Sequence, residues 1–174
     1  MNISQEDLKK LLHYNPKTGI LTWKVRPLSM FPNEGTCASW NSRCAGKDLT
    51  SVDSIGYISS SVNNKKYHAH RVAFFIYHGF LPEIVDHKNR IKTDNRISNL
   101  RAATKSLNSC NAKLRSNNTS GVKGVGWHKQ SKRWRVRIKV NSVEHNFGLF
   151  IDKDEAIKVA KEKRKLLHGE FASG

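Results

Sequence analysis

The chain has 174 residues, with 31 Lys and Arg against 14 Asp and Glu, a formal net charge of +17. That length suits one ordinary domain or a few small ones, and the charge excess asks for a polyanionic partner, nucleic acid before a membrane surface. No stretch has the apolar length of a membrane span, the N-terminal segment carries no apolar leader, and four Trp with seven Phe exclude a wholly disordered chain. The expected setting is the cytosol, with Cys37, Cys44 and Cys110 as reduced thiols.

In chain order, Gln5–Leu12 reads as a short helix capped by Ser4, with acids in its first turn. A turn at 16–19 leads to a strand Ile20–Val25, and 26–45 reads as irregular, with two prolines and two cysteines. Gly56–Val62 and Lys65–His70 flank Asn63-Asn64 as a β-hairpin. Val72–Tyr77 reads as a short buried helix ending at Gly79, a C-cap residue. Glu83–His87 and Leu100–Ala102 read as short strands around a polar loop at 88–98, and Thr104 as the N-cap of a helix to about Arg115. Residues 116–121, Ser-Asn-Asn-Thr-Ser-Gly, read as a linker; its glycosylation sequon has no meaning without a secretory leader. Three strands follow, Val122–His128, Trp134–Val140 and Val143–Phe150, then a helix Asp152–His168 with Asp152 as its cap.

The positive charge is spread along the chain, with nets of +3 in 1–50, +7 in 51–118 and +7 in 119–174. Basic residues alternate with aromatic and β-branched ones, so they decorate folded surfaces and do not form a tail. In the Trp134 strand the division is clean. Trp134, Val136, Ile138 and Val140 share one face; Arg133, Arg135, Arg137 and Lys139 share the other. Like charges side by side repel unless an anion lies across them. The apolar face is covered by the last helix, whose Ala156, Val159, Ala160, Lys163 stem and Leu167 recur at helical spacing.

Most of the chemistry lies in 85–108. Asp86 and His87 end a strand and point to opposite sides. If the following helix packs on that strand pair, Asn108 in its first turns approaches Asp86. An oxygen pair of this kind suits Mg²⁺, with Mn²⁺ as a substitute, because such an ion keeps waters and needs few protein ligands. A neutral imidazole on His87 can take a proton from water near pH 7. Cys37 and Cys44 lie too far apart for a C-x₂₋₄-C pair, so structural zinc is not expected. For His70, packing or contact with phosphate is expected.

The pattern Asp86-His87-x11-Asn99-x8-Asn108, flanked by Ala69-His70-Arg71, Asp94-Asn95-Arg96 and Asn99-Leu100-Arg101, resembles the ββα-metal site of HNH nucleases, phage and group I intron homing endonucleases in particular. The opening Tyr14-Asn15-Pro16-Lys17-Thr18-Gly19-Ile20-Leu21-Thr22-Trp23 resembles the N-termini of phage members. The resemblance implies that His87 is the general base, that Asp86 and Asn108 hold the metal, and that Asn99, preferred over Asn95, braces the loop presenting His87. Many members carry His where this chain has Asn108. Arg71, Arg96 and Arg101 then become candidates for DNA contact. Residues 119–171 resemble the plant APETALA-two/ethylene-response-factor DNA-binding domain, through Ser120–Val125, Lys132-Arg133-Trp134, Phe147–Phe150 and His168–Phe171. Carried over by position, Lys123, Trp127, Arg135, Arg137 and Lys139 are its contact candidates. Gly126 stands where plant members usually have Arg, so no target sequence carries over.

The fold class so implied is α+β: a small β-rich N-terminal region (1–50), a ββα-metal nuclease module (51–115), a linker (116–121), and a three-stranded antiparallel sheet on one helix (122–174). The implied function is site-specific, Mg²⁺-dependent hydrolysis of double-stranded DNA that leaves 5′-phosphate and 3′-hydroxyl ends, with no membrane or small-molecule partner. A monomer is favoured over a dimer; one site cuts one strand, so a double-strand break needs dimerisation or a second visit. The alternatives are a DNA-binding regulator on a decayed nuclease fold and an RNA-binding factor.

Overall fold

The computed structural model describes the backbone of residues 3–111, 114 and 116–172, with the side chains of 110, 111 and 170 outside the description; the expectation for the Cys110 thiol therefore lies outside it. Two compact units divide the chain, Met1–Ala102 and Ala103–Gly174. It is a mixed α/β protein built on small sheets.

In the first unit, helix α1 (Gln5–Leu11) starts where Ser4 accepts a hydrogen bond from the Asp7 N–H. Glu6 and Asp7 lie at its positive end, Lys9 and Lys10 at its negative end. Its Leu8 and Leu11, one turn apart, are buried. The chain passes directly into β1 (Leu12–Tyr14), which pairs antiparallel with β2 (Leu21–Trp23). The turn between them is closed by the Asn15 side chain, which accepts from the Lys17 and Thr18 N–H groups.

Residues 26–45 are not irregular as expected. They form a 3₁₀ turn at Leu28–Met30 and an eleven-residue helix, α2 (Glu34–Cys44). Asn33 caps this helix by accepting from the Thr36 N–H. No residue of α2 is buried, so it has no apolar stripe for a periodicity argument to find. Trp40 fixes it to the unit by packing edge-on against Trp23, with ring centroids 5.6 Å apart. The N-terminal region is thus richer in helix than in strand: α1 and α2 against two three-residue strands.

Strands β3 (Ser59–Val62) and β4 (Lys65–His68) form the expected hairpin. Asn63 and Asn64 both have positive φ, the backbone a two-residue hairpin turn requires and Asn tolerates. Helix α3 (Ala69–His78) begins earlier than expected and ends at Gly79, whose left-handed backbone donates to the Phe75 carbonyl. It buries Ala69, Val72, Ala73, Phe74 and Ile76 against Leu8, Leu12, Leu21, Val62, Val85 and Leu100, the core of this unit. Strands β5 (Ile84–His87) and β6 (Leu100–Ala103) pair with each other.

In the second unit, α4 (Lys105–Asn111) opens with the expected cap: the Leu107 N–H donates to the Thr104 hydroxyl at 3.3 Å. Residues 116–121, expected as a linker, are tied down. The buried Ser120 hydroxyl lies 2.8 Å from the Val125 carbonyl, and Asn118 accepts from the Gly121 N–H. A three-stranded antiparallel sheet follows in the order β7 (Val125–His128), β8 (Arg133–Val140), β9 (Val143–Phe150). Helix α5 (Lys153–His168) starts at Asp152, which accepts from the Glu155 N–H. Val125, Val136, Ala156 and Ala160 form the core between sheet and helix. The buried side of α5 runs 156–160–164–168, so Arg164 and His168 are buried where the sequence pattern pointed to Lys163 and Leu167.

Candidate active site

His87 is the last residue of β5 and only 5 % exposed. Its Nε2 lies 3.2 Å from the Asn95 side-chain oxygen, so Nε2–H donates and the lone pair is on Nδ1. Burial pushes the His87 pKa below the ordinary imidazole range, partly offset by the Asn95 hydrogen bond and the Asp86 charge. The ring is therefore a neutral base at physiological pH.

Asp86 precedes it and is buried as well. One of its carboxylate oxygens, Oδ2, accepts from both Nε and Nη2 of Arg101, at 2.9 and 2.8 Å. Arg101 was expected at the DNA surface. It is instead 8 % exposed, and its guanidinium is directed at Asp86 from the neighbouring strand. The alternation of β6 fixes this placement, because Leu100 enters the apolar core and Arg101 must point the other way.

The loop from 88 to 99 is organised by its asparagines. Asn99 accepts from the Asn89 N–H at 3.0 Å and donates to the Asp94 carbonyl at 2.8 Å. It spans the loop from inside. The contact to His87 comes from Asn95, the most buried of these residues at 2 % exposure. On the outer side Asp94 accepts from Nε and Nη2 of Arg96 and from the Asn89 amide; the Arg96 bonds lower its pKa to about 2. Arg96, a DNA-contact candidate, is exposed but already paired. Arg71, another, is half-buried and donates to the Glu83 and Pro82 carbonyls.

The N-terminal turn buttresses this loop. The Tyr14 hydroxyl donates to the Asn95 carbonyl at 2.8 Å, and the Ile97 N–H donates to the Pro16 carbonyl. Gly19 has φ +79°, and a Cβ there would press on the Arg96 nitrogen and lie 2.5 Å from the Asn95 carbonyl carbon. The Tyr14–Gly19 turn is therefore part of the support for His87. Gly19→Ala is expected to cost about 1–3 kcal/mol of stability by straining this backbone. Denaturant melts would check it, and a change within about 0.5 kcal/mol, ordinary for a surface substitution, would contradict the buttress.

A column of rings covers the other side of His87. Tyr57 stacks on His68 with centroids 5.0 Å apart and lies 4.8 Å from His70, whose ring is 4.9 Å from that of His87. His68 contacts Asp53 at 3.1 Å. His70 is buried, its pKa lowered to about 3 chiefly by desolvation, and its Nδ1 has no hydrogen-bond partner. Tyr57 and Asp53 carried no signal in the sequence, since nothing local marks residues thirty positions before the Asp-His pair as its neighbours.

Of the remaining site candidates, Asn108 lies in α4 of the second unit, where its N–H donates to the Thr104 carbonyl. Lys123 and Arg137 line a cavity of about 460 Å³ in that unit, together with Lys139, Lys105 and Arg164. Trp127, 45 % exposed, faces its register partner Trp134 with centroids 5.1 Å apart. Arg133, Arg137 and Lys139 are exposed and Arg135 half-buried, with a register shift between 135 and 137. The stripe is not purely basic across strands: Glu144, register partner of Lys139, pairs with Arg137 at 2.9 Å.

Among the described residues no group of three His, Cys, Asp or Glu side chains could hold a metal ion, and no helix is long and apolar enough to cross a membrane. No solved structure is significantly similar to the chain. Residues 67–110 match the HNH endonuclease family model, a span that contains His70, Asp86, His87, Asn95, Asn99, Arg101 and Asn108. Protein 3.8 of Escherichia phage T7 is 35 % identical over 88 residues, which cover 51 % of this chain and 72 % of the phage protein. With that identity over most of the relative's length, the chain belongs to the family of phage T7 protein 3.8, and it carries an HNH endonuclease domain at 67–110.

Proposed function

We propose that the chain is a metal-dependent DNA endonuclease in which His87 is the general base. The observation that carries the reading is the state of His87: buried, neutral, oriented through Nε2 by Asn95, and adjacent in sequence to a buried carboxylate inside the matched domain. Nδ1 takes the proton of a water whose oxygen attacks phosphorus in line. The P–O3′ bond breaks, and the departing oxygen is protonated from solvent, leaving 5′-phosphate and 3′-hydroxyl ends. Asn99 and Asn95 act as positioning residues, the first by holding the loop, the second by holding the ring.

By the resemblance to the ββα-metal site, Asp86 and Asn108 would hold the metal. Their chemistry fits a hard divalent ion: one carboxylate and one amide oxygen, with water completing the shell, suit Mg²⁺ or Mn²⁺ and not zinc. When bound, such an ion supplies charge stabilisation for the phosphorane and the leaving oxygen.

The second unit is proposed as the DNA reader, an APETALA-two-like sheet whose Trp127, Arg135, Arg137 and Lys139 approach the duplex, with Lys123 beside them. The net +7 of residues 119–174 supports this, as does the concentration of basic side chains on one sheet face. A single site per chain implies a nick by a monomer. The test is conversion of supercoiled DNA to open circles with Mg²⁺ or Mn²⁺, and its suppression by a chelator. Religation by ligase without further treatment would confirm the 5′-phosphate and 3′-hydroxyl ends. Binding without scission, with every divalent ion tried, would favour the DNA-binding regulator instead.

A further inference from the structure

On the first unit, and formed by none of the residues of the candidate active site, lies a cavity of about 480 Å³ lined by Trp23, Arg26, Trp40, Cys44, Ser60, Ser61, Asn63 and Asn64. Its centre is Arg26. The guanidinium carbon sits 3.8 Å from the Trp40 ring centroid and 4.7 Å from that of Trp23, a double cation–π arrangement. The backbone beneath it is pinned from α2: the Arg26 N–H donates to the Asn41 side-chain oxygen, and the Asn41 amide donates back to the Arg26 carbonyl, both at 2.9 Å. A free guanidinium carries much rotamer entropy, which this arrangement has already removed from the half-buried Arg26.

What the arrangement lacks is an anion. No carboxylate lines the cavity. No ion pair joins Arg26 to any acid of the described residues, and its Nε is buried without a hydrogen-bond partner. Burial on the indoles also depresses its pKa. A pre-positioned, desolvated guanidinium without a counter-ion is built to receive one. The rim supplies more donors of the right kind: the amides of Asn63 and Asn64, exposed at the tip of the β3–β4 turn, and the hydroxyls of Ser60 and Ser61.

We propose that this cavity is a phosphate-binding site for the backbone of the substrate DNA, away from the scissile bond, with Arg26 as the charged partner and the Asn63-Asn64 turn as its polar wall. The proposal rests on the nuclease reading for the identity of the polyanion. Phosphate contacts of this type set the position of a protein on a duplex without reading sequence. The site would therefore fix where His87 meets the strand. α2 then has a function that explains a helix with no buried face: it carries Trp40 and Asn41, which hold Arg26 together with Trp23.

The test is a salt titration of a labelled duplex with the full chain, without divalent metal, comparing wild type, Arg26→Met and Asn64→Asp. Met keeps the apolar stem on the indoles and removes the charge. Asp keeps the left-handed turn and places a negative charge on the rim. Arg26→Met is expected to bind about tenfold more weakly at low salt, and its plot of log affinity against log salt to be shallower by about 0.9, one phosphate contact fewer. Asn64→Asp should weaken binding in the same direction with an unchanged melt. Wild-type affinity and slope in a folded Arg26→Met overturn the proposal. If that variant does not fold, Asn64→Asp decides alone, and unchanged binding there overturns it. Saturation of the tryptophan fluorescence by inorganic phosphate with no change in DNA salt slope also overturns it, because the site would then serve a small free anion. Failure of the wild type to bind duplex at any salt would instead remove the nuclease reading together with its DNA substrate.

Discussion

Arg101→Leu is expected to destabilise the first unit by about 3–5 kcal/mol, the cost of stripping one partner from a buried ion pair. Both side chains are nearly inaccessible, at 9 % and 8 % exposure, and one Asp86 oxygen receives both guanidinium bonds. Removing the cation leaves a carboxylate in a low-dielectric site without its Arg101 partner. Domains commonly hold only about 5–15 kcal/mol in total, so the loss would be visible as a large fall in the denaturant midpoint. A second substitution, Asp86→Asn on the Arg101→Leu background, should recover part of it, since no charge then remains to be compensated. If Arg101 were a surface contact to DNA, the single variant would keep its stability within about 0.5 kcal/mol and lose binding instead. Chemical denaturation followed by circular dichroism separates the two.

That pair also shows where the sequence stops informing. Arg101 lies in a row of basic residues, and a basic residue in a strongly positive chain reads as surface. Its burial depends on Asp86, fifteen positions away on the neighbouring strand. The same holds for Arg164 and His168, which occupy the buried side of α5 in line with Ala156 and Ala160. Charge told against burial, and only partners brought in by the fold reverse that. Elements with local signals were legible: the Asn63-Asn64 turn, the Gly79 cap, the Asp152 cap, and the alternation that places Val136 and Ile138 inside β8. α2 was not, because a helix without an apolar face leaves only its Asn33 cap as a cue.

The candidate site was legible as a set of residue types and less so as a set of contacts. Asp86 and His87 are adjacent in sequence and stay together at the end of β5 whatever the rest of the chain does. The resemblance implied that Asn99 braces the loop presenting His87; in the structure Asn99 spans the loop and Asn95 hydrogen-bonds His87. Spacing could not separate them, since both lie within the same loop and both are Asn. The dependence of Asn95 on Tyr14 crosses 81 positions and is invisible until β1 and the loop are seen side by side. It gives a physical reason for the Tyr14–Gly19 turn to lie beside the loop: a short polar loop does not hold a buried imidazole in place unaided, and the turn supplies two hydrogen bonds and a close backbone approach.

The second large effect falls on His87. If it is the base, its removal takes away proton abstraction from the attacking water and leaves the phosphate contacts of the chain intact. His87→Ala should therefore lower strand scission by about 10²–10⁴-fold, with DNA affinity and its salt dependence near those of wild type. Truncating a buried ring opens a cavity, so His87→Gln, which fills more of the volume and can still hydrogen-bond Asn95, serves as the folded control. The decisive measurement is the rate of nicking of supercoiled DNA by wild type and these two variants, at saturating protein and with Mg²⁺. Loss of nicking in both variants, with duplex binding and melting temperature retained, is the predicted result. Nicking by either variant at the wild-type rate, or no nicking by a wild type that binds the same DNA, would contradict the assignment of His87 as the base of a DNA endonuclease.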